Sequence, residues 1–175
     1  QIDRLERPTL AKAKPGDVLT LGVPEIDGHL PWGGLAPASL HAISGAGILT
    51  PAIGFAAALL GRATQISQTK RPVLWCRQGY DLYAPGLSSF GLTAANLIIV
   101  NVAKEQDLLW AMEEGLRSGD MSAVLGEARA PSPTVLRRLQ LAAETGGTTA
   151  LLLNGVMPDG GTDHSIGNSM THWRV

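Results

Sequence analysis

The sequence predicts an α/β fold: a mostly parallel, twisted sheet flanked by helices. Three observations carry this. Five short runs, "SLHAI", "PVLWC", "NLIIV", "SAVLG" and "TTALLLN", are continuously apolar rather than alternating, as strands covered on both faces are. Stretches with helical spacing separate them. A glycine-rich turn, "SGAGILTPAIG" (44–54), joins the first run to the helical segment "FAAALLGRATQI". Alternation of this kind gives parallel strands joined by right-handed crossovers.

The elements follow in order. Residues 1–20, the most charged stretch and holding two prolines, read as an N-terminal arm and linker, and 21–175 as the core. "LGVPEIDGHLPWGGLAP" reads as an ordered Gly/Pro loop carrying Trp32. In "KEQDLLWAMEEGLR", Leu108, Leu109, Met112 and Leu116 share one helical face while Glu113 and Glu114 point elsewhere. In "PSPTVLRRLQLAAETGG", Ser132 suits the N-cap, Pro133 the first turn and Gly146 the left-handed C-terminal position. The tail loses periodicity: a mobile loop is expected around 155–172, followed by a strand start at "HWRV".

Bulk composition bounds the function. At 175 residues one compact domain is expected, 45% apolar and only 17% charged. A net charge of -1 argues against a nucleic-acid coat, so DNA binding is expected to be weak or indirect. The single Cys76 excludes an internal disulfide and a Cys-rich zinc site. The four histidines lack metal-ligand spacing. His41, inside an apolar run, reads as a hydrogen-bonded core residue, and Cys76 as structural core. No apolar run approaches 18 residues, so no membrane segment is expected, and the opening residues carry no leader pattern, which gives a cytoplasmic expectation.

Taken in order, the segments resemble one family. "GGLAPASLHAISG" is similar to the entry into the phosphate loop of RecA-like recombinases. "RPVLWCRQGYDLYAPGLSSFGL" is similar to their second core strand and the segment after it. "NLIIVNVAKEQDLLWAMEEGLRSGDMSAVLGEA" resembles the next strand–helix–strand unit, and "TTALLLNGV" the strand after that. The resemblance runs from about Leu21 to Val156. Within that superfamily, "LWCRQGYDLYAPGL", "VLGEARAP" and "HWRV" resemble the ImuA family, RecA-like accessory proteins of the bacterial DNA-damage-inducible mutagenesis cassette. This resemblance implies a part in SOS-induced, error-prone translesion synthesis beside the polymerase-like protein ImuB. A RecA recombinase and a mutagenic replicative-type polymerase are further implied partners.

Each nucleotide-site position implied by the resemblance can be tested on its chemistry. A phosphate loop needs glycines that turn backbone N–H groups inward, a Lys for the β/γ-phosphates and a Ser/Thr for Mg²⁺. Gly45 and Gly47 keep the turn. Thr50 stands where the next Gly belongs, Pro51 where the Lys belongs and Ala52 where the Ser/Thr belongs. Thr50 and Pro51 are expected instead to cap and start the helix. The metal-holding Asp aligns with Gly126, and Glu127 follows one residue late, turned by strand alternation to the opposite side and available to Arg129. The water-orienting Glu aligns with Gln78, which cannot accept the proton, and the sensor Gln with Gly155. ATP hydrolysis and a bound cofactor are therefore not expected: the turn keeps the shape of a phosphate loop without its chemistry. A nucleotide-binding switch on Gly45–Gly47 and recombinase-like DNA binding are the alternatives, although 155–172 contains no Lys or Arg.

What remains for such a domain is to bind other proteins. Candidate partner anchors are Ile2 and Leu5 in the arm, and Trp32, Tyr80, Tyr83 and Trp110, with completion of the core as the competing reading for each. Arg129, Arg137 and Arg138 form one basic cluster and Lys70–Arg71 another; each reads as a solvated face or, alternatively, a phosphate-binding patch.

Overall fold

The computed structural model describes residues 18–66, 70–79, 81–129, 131–157 and 169–175. Among these residues, six strands form one sheet: β1 (Leu40–Ala46), β2 (Val73–Gln78), β3 (Leu97–Val102), β4 (Ala123–Glu127), β5 (Thr149–Met157) and β6 (Thr171–Arg174). Their spatial order is β3-β2-β4-β5-β1-β6, and every neighbouring pair is parallel. The five apolar runs become β1 to β5, and "HWRV" supplies β6. Strands β1, β2 and β4 are buried along nearly their whole length, whereas β3 is half exposed because it forms an edge of the sheet.

Helix α1 is a single turn, Pro24–Asp27, inside the segment read as a loop. It is held in place by Asp27, which accepts the backbone N–H groups of Leu21 and Gly22 at 2.7 and 2.9 Å. Helix α2 (Thr50–Ile66) covers one face of the sheet, and α3 (Glu105–Ser118) with α4 (Pro133–Gly146) the other. A 3-10 segment, Ala84–Phe90, lies between β2 and β3.

Strand alternation divides the core in two. Ile43, Val73, Trp75, Leu125 and Leu153 face α2, while Leu40, Leu74, Cys76, Val124 and Leu152 face α3 and α4. On α3, Leu108, Met112 and Leu116 are buried as the helical spacing predicts. Glu113 is buried too, contrary to its expected outward position, because Arg117 and Arg138 both bind its carboxylate and tie α3 to α4. Ser132 caps α4 through Val135 N, and Pro133 opens it. The left-handed C-cap is Gly147, not Gly146. Gly146 is needed for another reason: a Cβ there would lie 1.9 Å from the Leu116 carbonyl where the two helices meet.

The core takes up the chain before residue 21. Leu19 is buried, its carbonyl accepts Leu35 N at 2.8 Å, and Arg62 holds Thr20 through its carbonyl and hydroxyl. The end of the segment read as arm and linker is thus fastened to the core. Of the stretch expected to form a mobile loop, Gly155–Met157 belongs to β5 and Thr171–His172 to β6; 158–168 lies outside the described residues. The register of β1 on β5 slips between Ile43 and Gly45, opposite Gly155, whose φ of 64° absorbs the irregularity.

Candidate functional site

Because all strands run the same way, their carboxyl ends share one edge, where α/β folds place their sites. The turn after β1, the residues after β2 and the end of β4 meet this edge.

The turn after β1 is tight. Gly45 lies so close to the returning chain that a Cβ would sit 2.1 Å from the Ile48 carbonyl, and Gly47 has φ 83°. One of its donors is engaged elsewhere: Ala46 N donates to Val175 O at 2.7 Å. Ile48, at the crown of the turn, is 63% exposed. Thr50 is the first helical residue rather than the cap. The cap position falls to Leu49, whose carbonyl accepts Ile53 N at 3.0 Å. Pro51 sits in the first turn as expected, and Ala52 is buried in the α2 core. A Thr50 side-chain cap would have been worth about 1 kcal/mol. With no cap to remove, Thr50→Ala should leave stability within about 0.5 kcal/mol of the parent in urea denaturation.

The acidic position requires a correction. A Cβ at Gly126 would point at α3, 2.6 Å from Met112 Sδ, so the aligned residue faces away from the turn. Glu127 faces the α2 side. Arg129 does not pair with it; the Arg129 backbone N–H donates to Glu105 Oε1 at 2.9 Å. Glu127 instead accepts Trp75 Nε1–H at 2.6 Å and forms an ion pair with Arg77, 3.4 Å from its Nε. Arg77 is 6% exposed and donates from Nη2 to Asp81 Oδ1 at 2.6 Å. Its Nε and Nη1 are buried without a hydrogen bond. Burial pushes the Glu127 carboxyl above the usual carboxylate range, partly offset by the Trp75 hydrogen bond and the Arg77 charge. Gln78 lies on the opposite face, donating to Ala103 O at 3.0 Å. Where a nucleotide site would present metal and water ligands, this edge holds a network of Trp75, Arg77, Asp81 and Glu127 centred on the buried Arg77 and on Glu127 Oε1.

Motif alignment does not single out Trp75, Arg77 or Asp81. Strand parity is the signal that finds the first two: Leu74 and Cys76 pack against α3 and α4, so Trp75 and Arg77 must face α2.

No protein-family model matches the chain. Protein ImuA of Caulobacter vibrioides, in two strains, is 36% identical over 142 residues, covering 80% of this chain. This chain belongs to the ImuA family. It spans 58% of the length of those ImuA relatives. The crystal structure of SulA from Pseudomonas aeruginosa superposes with a TM-score of 0.55 at 19% identity, covering 66% of this chain and 97% of that one. That likeness concerns the fold alone.

The ImuA-type chain keeps its aromatic candidates apart. Trp32 is 37% exposed in the turn before β1, Tyr83 74% exposed between β2 and the 3-10 segment, and Trp110 63% exposed on the outer face of α3. Tyr80, Ile2 and Leu5 lie outside the described residues. His41 is a hydrogen-bonded core residue, and burial raises the Cys76 thiol to about 12, which leaves it protonated and inert. Among the described residues no three His, Cys, Asp or Glu side chains converge as a metal site, and no helix is long and apolar enough to cross a membrane.

Proposed function

We propose that this ImuA-type chain is a non-catalytic, RecA-like accessory of the DNA-damage-inducible mutagenesis cassette, acting in the cytoplasm by binding other proteins. The observation that carries this reading is the state of Glu127. This carboxylate, at the carboxyl edge on the α2 side, is held through Oε1 by Trp75 and Arg77, which fix it in a structural network. Pro51 and Ala52 supply neither the cation nor the hydroxyl that phosphate and Mg²⁺ need. A domain with these losses and with Ile48, Tyr83 and Trp110 exposed offers shape and aromatic anchors to partners. The partner class that the family likeness suggests first is the polymerase-like ImuB, then a RecA recombinase and a mutagenic replicative-type polymerase.

The test combines ligand and partner titrations. At 1 mM ATP with Mg²⁺, a dissociation constant of about 10 μM would add about 2.7 kcal/mol of stability. That corresponds to a melting shift of roughly 5–10 °C for a domain this size; the expected shift is below about 1 °C. In a binding assay with the ImuB-type protein, Trp110→Ala or Tyr83→Ala should weaken affinity about tenfold or more with an unchanged melting temperature. A large ATP shift together with unaltered partner binding in both variants would replace the scaffold by the nucleotide-binding switch.

A further inference from the structure

A cavity of about 370 Å³ opens at the opposite edge of the sheet from the degenerate turn, where β2 and β3 begin and α2 ends. Lys70 and Arg71 line it with Gln65, Gly91 and Asn96. Among the described residues, no carboxylate lines it. Asn96 is already engaged: its Oδ1 accepts Thr93 N and its Nδ2 donates to Gly91 O, which fixes the wall. Arg71 donates from Nη1 to the Gly119 carbonyl at 2.8 Å, beyond the cavity lining, and among the described residues Nη2 and Nε have no hydrogen-bond partner. Among the described residues, none holds the Lys70 ammonium by a hydrogen bond or ion pair. Among the described residues, Lys70 is also one of two non-glycine residues with positive φ, at 50°, a conformation a lysine adopts only at a cost and one that concentrates at binding sites.

We propose that this cavity is a phosphate-binding site, with Lys70 and Arg71 as the charged ligands and Gln65 as a neutral donor. Two full cations in one concavity exceed the partial negative charge, about half an elementary charge, at the carboxyl end of α2. Arg71 presents the planar fork suited to phosphate oxygens, and Lys70 adds a point charge on a flexible stem. The phosphate belongs either to a free nucleotide or to a single-stranded DNA backbone. The site is independent of the Gly45–Gly47 turn and of the aromatic anchors Tyr83 and Trp110.

The test uses the whole chain with three probes: inorganic phosphate, ADP and a fluorescein-labelled oligothymidine of about twenty nucleotides, longer than a typical single-strand site. The variants are Lys70→Gly, Arg71→Lys and Arg137→Ala, the last removing a cation on α4 outside the cavity. Lys70→Gly takes away the charge while relieving the left-handed backbone, so the fold is retained and its melting temperature checks that. At low salt, Lys70→Gly and Arg71→Lys should each weaken phosphate-bearing probes about tenfold, and Arg137→Ala less than about twofold. If DNA is the source, oligothymidine anisotropy responds, and the salt dependence of log K flattens by about 0.7 because Lys70→Gly neutralises one phosphate fewer. If the source is a free nucleotide, ADP and phosphate respond while the DNA signal stays flat. Equal losses in Arg137→Ala, or no change in Lys70→Gly with any probe, would overturn the proposal.

Discussion

Trp75→Ala is expected to cost about 3–5 kcal/mol in equilibrium unfolding, the usual range for removing a large aromatic from a core. Trp75 is fully buried at the centre of β2, flanked by Ile99 on β3 and Leu125 on β4 and packed in the α2 cluster. Its removal leaves a void under α2 and deprives Glu127 of its 2.6 Å hydrogen bond. Trp75→Phe separates the two losses. It keeps most of the volume but leaves a partly buried carboxyl with Arg77 alone, which should cost about 1–3 kcal/mol. The hydrogen bond lowers the Glu127 pKa against the larger upward effect of burial, so its loss should raise that pKa further. A carboxyl whose folded pKa exceeds its unfolded value favours the fold at low pH and disfavours it as pH rises through the folded pKa. The variant should therefore go on losing stability to a higher pH than the parent does. Carboxyl carbon shifts of Glu127 in both proteins supply the measurement. A Trp75→Phe protein as stable as the parent, with an unmoved Glu127 titration, would show that the network at the strand ends is ornamental.

The fold is legible in the sequence because buried parallel strands leave a continuous apolar pattern: β1 to β5 are the five apolar runs, and Ser132–Pro133 marks the start of α4. The ends of elements are less legible, since they depend on tertiary approach. Gly146 is dictated by the Leu116 carbonyl of another helix, an approach the local sequence cannot encode, and the left-handed role passes to Gly147. Thr50 has the composition of a cap, yet the helix begins one residue earlier than a Thr50 cap requires, in a turn tightened by Gly45 folding onto Ile48. At the site, motif alignment names Gly126 and Gln78, and both face away from α2. Parity within the strand identifies Arg77; Glu127, which the alignment names one residue late and expects turned to the opposite side, is the residue that faces α2. The buried Arg77 has no sequence signal beyond that parity, because an arginine closing an apolar run reads as a strand end.

Lowering the pH from 6.5 to about 4 should remove about 3 kcal/mol of stability through His41 alone. Its ring is fully buried in β1 and spans two partners, Ala36 O from Nε2 and Thr171 Oγ1 at Nδ1, both at 2.8 Å. The Ala36 carbonyl can only accept, so Nε2 carries the proton and Nδ1 accepts from the Thr171 hydroxyl. Trp173 Nε1–H in turn donates to Thr171 Oγ1 at 2.9 Å. This relay, running from Trp173 through Thr171 and His41 to Ala36, fastens the edge strand β6 to β1, and it requires a neutral imidazole. Burial depresses the pKa from 6.5 to about 4 despite the opposing pull of the Ala36 carbonyl. Between those values the unfolded chain binds a proton that the folded chain refuses. Stability is therefore fully present above the unfolded pKa of 6.5 and falls as pH drops toward 4, by about 1.4 kcal/mol per unit of pKa difference. His41→Gln can donate to Ala36 and accept from Thr171 without titrating. Urea midpoints measured from neutral pH down to about pH 4 should slope steeply in the parent and much less in His41→Gln. Parallel profiles would mean that other groups, not His41, set the acid limit. Because the relay holds β6 in place, amide exchange in Thr171–Arg174 should accelerate in the parent as pH falls, relative to His41→Gln after correction for intrinsic rates, before the rest of the sheet opens.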